Sequence, residues 1–485
     1  MVFRLGKKYQ GLAHGFGCAC HTPQAMQALA RVEAGMSRRS VLRGIAATLA
    51  TPVLAGTSPL FAQPAADRLL LRNVRIFDGH SPKLIEGRDV LLEANRIVAL
   101  PRAGEAVSDA AIIDCKGGTL MPGLIDAHWH ALLAGISQLA ALTADVPYVH
   151  LVAAQEAERT VLRGFTTVRD VGGPAFSLKR AIDEARTPGP RIYPSGAMVS
   201  QTSGHGDFRQ RYEVPRSPQT NLSHAEEAGI SAIADGVPEV RRRVREQLML
   251  GASQIKIMSG GGVASTHDPV DSLQFSEEET RAAVEAARDW QTYVCAHVYT
   301  SQGIQRALKC GVRSIEHGQL ADEETVRMMA DAGAWWSIQP FLADEDANVY
   351  TNPTQIEQQK LIAQGTVRAL ELADKHKVNL ALGTDILFNP RATATQGRQL
   401  AKFARWYDNA RVLRLLTGGN AELLGLSGPR SPYEGPLGVI EAGALADIVV
   451  LDGNPLETID LIADPETHMK LIVKDGRIHK NTLEG

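Results

Sequence analysis

Met121-Pro-Gly-Leu-Ile-Asp-Ala-His-Trp-His130 is an apolar run that ends in two histidines one residue apart. Alternate residues of a strand point to the same face, so a strand here aims the imidazoles of His128 and His130 at one point. Two such imidazoles at the end of a buried strand are good metal ligands. A lone His-x-His can equally be a satisfied polar pair, so the reading turns on partners elsewhere. Lys256, His297, His317 and Asp385 each lie in or just after another strand-like run.

Those runs belong to a regular alternation of strand and helix patterns. Eight candidate strands cover 124–129, 165–170, 191–196, 253–259, 292–297, 312–316, 334–339 and 379–384. A helix is predicted from Ser276, with Glu279 three residues on at capping-box spacing. The expectation is an α/β fold, a (β/α)8 TIM barrel with insertions over 124–427. A doubly wound sheet is the competitor. It would not gather the C-terminal ends of strands one, four, five, six and eight around one pocket, which is where the candidate ligands fall.

The flanks read differently. Short strands punctuated by Gly, Asn and Asp occupy 63–123, and the same texture returns over 428–485. They predict a small β-sandwich domain built from both termini. Residues 1–62 read as a leader: Ser37-Arg-Arg-Ser-Val-Leu-Arg43 is a twin-arginine pattern ahead of a weakly apolar run from Gly44 to Ala62. The pattern predicts cleavage near Ala62 and Tat export, giving a periplasmic protein. The run is too short and interrupted for a membrane span. Residues 1–35 leave two readings open: a start at Met36, or a separate role for Cys18-Ala-Cys20-His21.

Composition narrows the class. The 485 residues are 44% hydrophobic and 22% charged, with a formal net charge of -3, which gives no reason to expect nucleic acid. Cys115, Cys295 and Cys310 do not form a disulfide framework. Oligomeric state, including a homo-oligomer, is left open.

The candidate site residues have distinct roles. Lys256 sits between isoleucines, where an ammonium is costly unless paired or neutralised. A carbamate formed with carbon dioxide would turn it into an anion able to bridge two cations. His297 ends Thr292-Tyr-Val-Cys-Ala-His297, and His317 follows Arg313-Ser-Ile-Glu. Asp385 follows Leu380-Ala-Leu-Gly-Thr, at the strand that would close beside His128 and His130. Six ligands exceed one tetrahedral zinc. The expected division puts His128, His130 and Asp385 on one divalent metal, His297 and His317 on a second, and carboxylated Lys256 between them. Nitrogen and oxygen ligands without thiolate favour zinc, with manganese, cobalt or iron as alternatives.

These residues resemble the amidohydrolase superfamily of binuclear metal type. Leu416-Thr-Gly-Gly-Asn-Ala-Glu-Leu-Leu-Gly-Leu426 and the segment from Gly438 to Asp452 add to the likeness, which covers about 68–480. Ser203-Gly-His-Gly-Asp207, Met258-Ser-Gly-Gly-Gly-Val263 and Ala296-His-Val-Tyr299 resemble the imidazolonepropionase-related branch. That branch includes Xaa-Pro dipeptidases, carboxypeptidases and ochratoxin-hydrolysing enzymes. The resemblance implies a hydrolase of an amide C–N bond that uses a metal-bridging hydroxide and releases a C-terminal amino acid from a dipeptide, N-acyl amino acid or ochratoxin-like amide. Asp385 would move the proton. Tyr299 would hold an oxyanion or a substrate carboxylate, and His205 and His267 would touch substrate from loops. The other readings are a mononuclear deaminase or cyclic-amide hydrolase on the same fold, and a non-catalytic relative. Retention of all six ligand positions argues against the last.

Overall fold

The computed structural model describes residues 68–483 apart from 211, 216–219 and 266. The leader expected over 1–62 lies outside the described residues.

The chain begins with β1 (Arg68–Ile76), β2 (Val90–Glu93), β3 (Arg96–Ala99) and β4 (Ala111–Pro122). The middle carries β5 (Leu124–Trp129), β6 (Phe165–Asp170), β7 (Arg191–Pro194), β8 (Met198–Ser200), β9 (Ser231–Ile233), β10 (Ile255–Met258), β11 (Val294–Thr300), β12 (Ser314–Leu320), β13 (Trp335–Ile338) and β14 (Asn379–Leu382). It ends with β15 (Ile448–Leu451), β16 (Met469–Lys474) and β17 (Arg477–Asn481).

Both flanks meet in one mixed seven-stranded sheet, ordered β17-β16-β15-β4-β1-β2-β3. Its strand β15 is apolar on both faces for a reason. In β15, Ile448 and Val450 join the sheet's own core, whereas Val449 and Leu451 join the core of the central part. Successive side chains of a strand point oppositely, so one strand closes two cores.

The central strands pair in parallel, in two sheets ordered β14-β13-β12-β11-β10-β8-β9 and β5-β6-β7. Parallel strands covered by helices read as continuous apolar runs, as Ile255, Ile257, Val294, Ile315, Ile338 and Leu382 do in the main core. The helix Glu277–Asp289 starts at Ser276 with the expected capping box to Glu279.

Side-chain amides join the two sheets. Asn420 donates from Nδ2 to the carbonyls of Ile125 (2.7 Å) and Leu382 (2.9 Å), and accepts from the Leu382 N–H at 2.9 Å. Gln254 donates to the carbonyls of Asp170 (3.1 Å) and Tyr193 (2.9 Å). Asn420 comes from the Leu416–Leu426 motif, so that motif's contribution is to hold β14 beside β5.

Two expectations need correction. The strand expected over 191–196 is shorter, because Gly196 takes φ 76° and turns the chain before β8. The Ser203–Asp207 loop therefore follows β8. Strands β8 and β9 were not anticipated: three residues each are too short to show a period. Trp335 and Trp336 are buried core residues. The three cysteines within the described residues are free and buried. Among the described residues no helix is long and apolar enough to cross a membrane.

The terminal sheet carries a pH signature. Burial, with Lys474 nearby, holds His479 down to about 4 in the fold, against 6.5 ordinarily. The folded state thus keeps this ring neutral. As pH falls from about 6.5 towards 4 the unfolded chain takes up a proton that the fold resists, so stability is lost across that window. Thermal melting against pH will show a shallower decline for His479→Asn than for wild type between those values.

Candidate metal centre

The site is built where β5 and β14 run side by side. The Nε2 atoms of His128 and His130 lie 3.2 and 3.1 Å from the same Asp385 Oδ1, and both imidazoles are buried. The Asp385 N–H donates to the His128 carbonyl at 2.8 Å, fixing the carboxylate to the strand it serves. Gly383 makes the approach possible, since a Cβ there would stand 2.4 Å from the His128 nitrogen.

Two candidate ligands take left-handed backbone: His317 at φ 73° and Asp385 at φ 55°. Such conformations are uncommon outside glycine and concentrate at functional sites. At His317 the consequence is visible. Alternation would put Glu316 and His317 on opposite faces of β12. The turned backbone, with a register shift between Val298 and Thr300 in the β11 ladder, brings both towards His128. His297 completes the group, its ring 4.5 Å from that of His317.

Each imidazole is tethered through one nitrogen. His130 Nδ1 meets the Gly172 carbonyl at 3.0 Å, His317 Nδ1 meets Gln339 Oε1 at 2.7 Å, and His297 Nε2 meets the Gly261 carbonyl at 3.1 Å. These acceptors require N–H donors, which leaves the other ring nitrogen of His297 and His317 with a lone pair. Burial lowers His297 and His317 well below the usual histidine range, keeping them neutral. Burial would raise the Asp385 carboxyl, but the imidazoles of His128 and His130 outweigh it and hold it well below the usual carboxylate range. Ligand atoms of His128, His317 and Asp385 all lie within 4.8 Å of one another. Lys256 is 1% exposed, and among the described residues no hydrogen bond or ion pair holds its Nζ. Burial lowers its pKa towards the neutral amine. Neutral imidazoles with lone pairs to spare, an ionised carboxylate and an untethered buried amine form a donor set that fits divalent cations.

Residues 119–480 match the sequence profile of the Amidohydrolase family. The chain belongs to the amidohydrolase family. This amidohydrolase is 34% identical over 332 residues to an ochratoxinase of Aspergillus niger, covering 65% of this chain and 66% of that protein. A crystal structure of a prolidase complexed with N-methylphosphonate-L-proline superposes with a TM-score of 0.78 at 35% identity, over 86% of this chain and 100% of the other. A crystal structure of a Xaa-Pro dipeptidase with bound methionine superposes with a TM-score of 0.74 at 27% identity, over 85% and 100%. This is the branch that the motifs resembled.

The loop residues divide. Tyr299 in the amidohydrolase is 5% exposed, stacked on His317 at 5.0 Å and edge-on to His297 at 5.3 Å. Burial and the nearby Asp385 push its hydroxyl well above the usual range, so it stays protonated. His205 stacks on His297 with ring centres 4.2 Å apart, and its Nδ1 is 2.7 Å from Asp268 Oδ2. Gly262 leaves room for that ring, since a Cβ there would lie 2.0 Å from it. His267 is not drawn in. Its side chain is 42% exposed and turns to Ser265 Oγ at 3.0 Å. Asp268 is the residue of that turn that reaches the site, through His205, while its Oδ1 lies 3.8 Å from His267 Nε2.

Sequence reading missed Asp268 and three further buried groups. Gln339 tethers His317. Asp170, at the end of β6, accepts the Ala131 N–H at 2.7 Å, and burial pushes its carboxyl up to about 7. Glu316 sits 2.8 Å from His128 Nδ1. Glu316 and Asp170 carried a signal, as charged residues inside or at the end of a strand-like run, but nothing in the sequence directed Glu316 towards His128.

Gly383→Ala must force β14 away from β5. It should cost about 1–3 kcal/mol of stability and lower the uptake of divalent metal, read by thermal denaturation and by metal analysis of the purified protein.

Proposed function

We propose that this protein is a metal-dependent hydrolase of amide C–N bonds that releases a C-terminal amino acid from a dipeptide, an N-acyl amino acid or an ochratoxin-like amide. The observation that carries the reading is the convergence of His128, His130, His297, His317 and Asp385 on the pocket that also buries Lys256. The amide-hydrolase class rests on family membership and on the ochratoxinase and prolidase relatives. The underlying architecture we infer is a closed (β/α)8 barrel over 124–427 whose terminal sheet forms a β-sandwich from 63–123 and 428–485.

His128, His130 and Asp385 would hold one divalent cation, and His297 and His317 a second, with zinc favoured by the nitrogen and oxygen donors. Lys256 would serve both as its carbamate: the neutral amine attacks carbon dioxide, an N–C bond forms and a proton leaves. When bound, the cations would supply a nucleophile from water at neutral pH and polarise the scissile carbonyl. Asp385, ionised and 18% exposed at its side chain, accepts a proton and returns it to the departing nitrogen. Tyr299, kept protonated, donates its hydroxyl to a substrate oxygen. His205, oriented by Asp268, presents its other nitrogen beside His297 for a substrate carboxylate.

The test is a screen of the zinc-loaded enzyme against N-acyl amino acids, Xaa-Pro dipeptides and ochratoxin A, with metal stoichiometry measured in parallel. Two equivalents of zinc and release of a free amino acid are expected. Asp385→Asn should lower kcat by about 10²–10⁴-fold; wild-type turnover in that variant would remove Asp385 from proton transfer. A single equivalent with deaminase activity would replace the reading.

The leader of 1–62 we take as an export address to the periplasm. Arg38→Lys combined with Arg39→Lys should retain the protein in the cytoplasm on cell fractionation; unchanged periplasmic recovery refutes the export route.

A further inference from the structure

The rim of the site is histidine and tyrosine, but directly beneath His128 lies a pair of opposite charges. Glu316 is fully buried, and its Oε2 is shared between His128 Nδ1 at 2.8 Å and Arg169 Nη2 at 2.6 Å. Its Oε1 accepts from Ser314 Oγ at 2.6 Å. Arg169 is equally buried. Its Nε donates to the Ala127 carbonyl, next to His128 in the chain, and its Nη1 lies 3.4 Å from both Tyr293 Oη and Ser314 Oγ. A buried ion pair gives little net stability against apolar residues of the same volume, because both ions lose their water. Its presence in this core therefore calls for another role.

The contacts assign one. The Nδ1 of His128 faces a full carboxylate, whereas the tethering nitrogens of the other candidate ligands, His130, His297 and His317, face neutral oxygens. Gln339 Nε2 also lies 3.3 Å from that nitrogen, but two donors cannot satisfy each other, and the carboxylate is closer and charged. We propose that Glu316, held by Arg169, is a positioning residue for His128: it fixes the Nδ1–H tautomer, aims Nε2 at Asp385 and strengthens that nitrogen as a ligand. Arg169 cancels the charge of Glu316, so the pair does this without adding net charge beside Lys256. Carboxylate–histidine pairs of this kind typically change metal affinity by about 10–100-fold when broken. The proposal rests on the metal-centre reading above.

The test uses the full chain stripped of metal. Zinc is titrated in competition with a chromophoric chelator, cobalt is followed by its visible absorption, and thermal denaturation is recorded without metal. Glu316→Gln should weaken one equivalent of zinc by about 10–100-fold, alter the cobalt spectrum of that equivalent and leave the other unchanged. Arg169→Met/Glu316→Met replaces the pair with apolar side chains of similar length. It should keep the melting temperature and show the same selective loss. A merely structural pair would give the reverse, a lower melting temperature with both affinities intact, and that overturns the proposal. Wild type that takes up no zinc removes the metal centre and this proposal together. Wild type that binds two equivalents beside variants of equal affinity removes the proposal alone.

Discussion

The contact between β5 and β14 is the constraint on which the rest of the molecule depends. Two buried imidazoles reach one carboxylate oxygen across it, and the carboxylate's own N–H is bonded to the backbone of His128. Such an approach requires a missing side chain at Gly383, a left-handed residue at Asp385 and the Asn420 amide to hold the two strands together. Asp126 reinforces the same line, accepting from the Thr384 hydroxyl at 2.7 Å and from Gln396 at 3.0 Å. Satisfying these buried polar groups is what allows strained and charged residues to persist in an otherwise apolar interior.

Electrostatics then separates the groups by task. Burial drives His297, His317 and Lys256 towards neutrality, the state in which each has a lone pair to give. The clustered imidazoles act in the opposite sense on Asp385, and Arg169 does so on Glu316, keeping both carboxylates ionised despite burial. One pocket thus holds neutral donors and two anions at neutral pH, a division suited to binding cations and moving protons.

Fold and site were legible in the sequence to different depths. Eight of the ten central strands announced themselves because parallel strands covered on both faces read as unbroken apolar runs. Strands β8 and β9 escaped, each being three residues long. His128, His130, Lys256, His297, His317 and Asp385 stood out because ionisable residues at the ends of such runs are expensive without partners. Glu316 did not, because strand alternation assigns it to the face opposite His317. Only the backbone turn at His317 removes that separation. His267 and Asp268 show the same limit in a loop, where sequence offers no period to say which neighbour turns inward.

The amino-acid sequence by itself determined which side chains could do chemistry and the order of strands that carries them, since both follow from local pattern and the cost of burying polar groups. The tertiary structure decided how those side chains are held: which nitrogen of each imidazole is tethered, which carboxylate lies behind His128, and which loop residue faces the pocket. Those outcomes depend on backbone angles at single residues and on contacts between segments more than a hundred positions apart, such as His128 with Glu316 and Asp126 with Thr384. No local periodicity encodes such contacts.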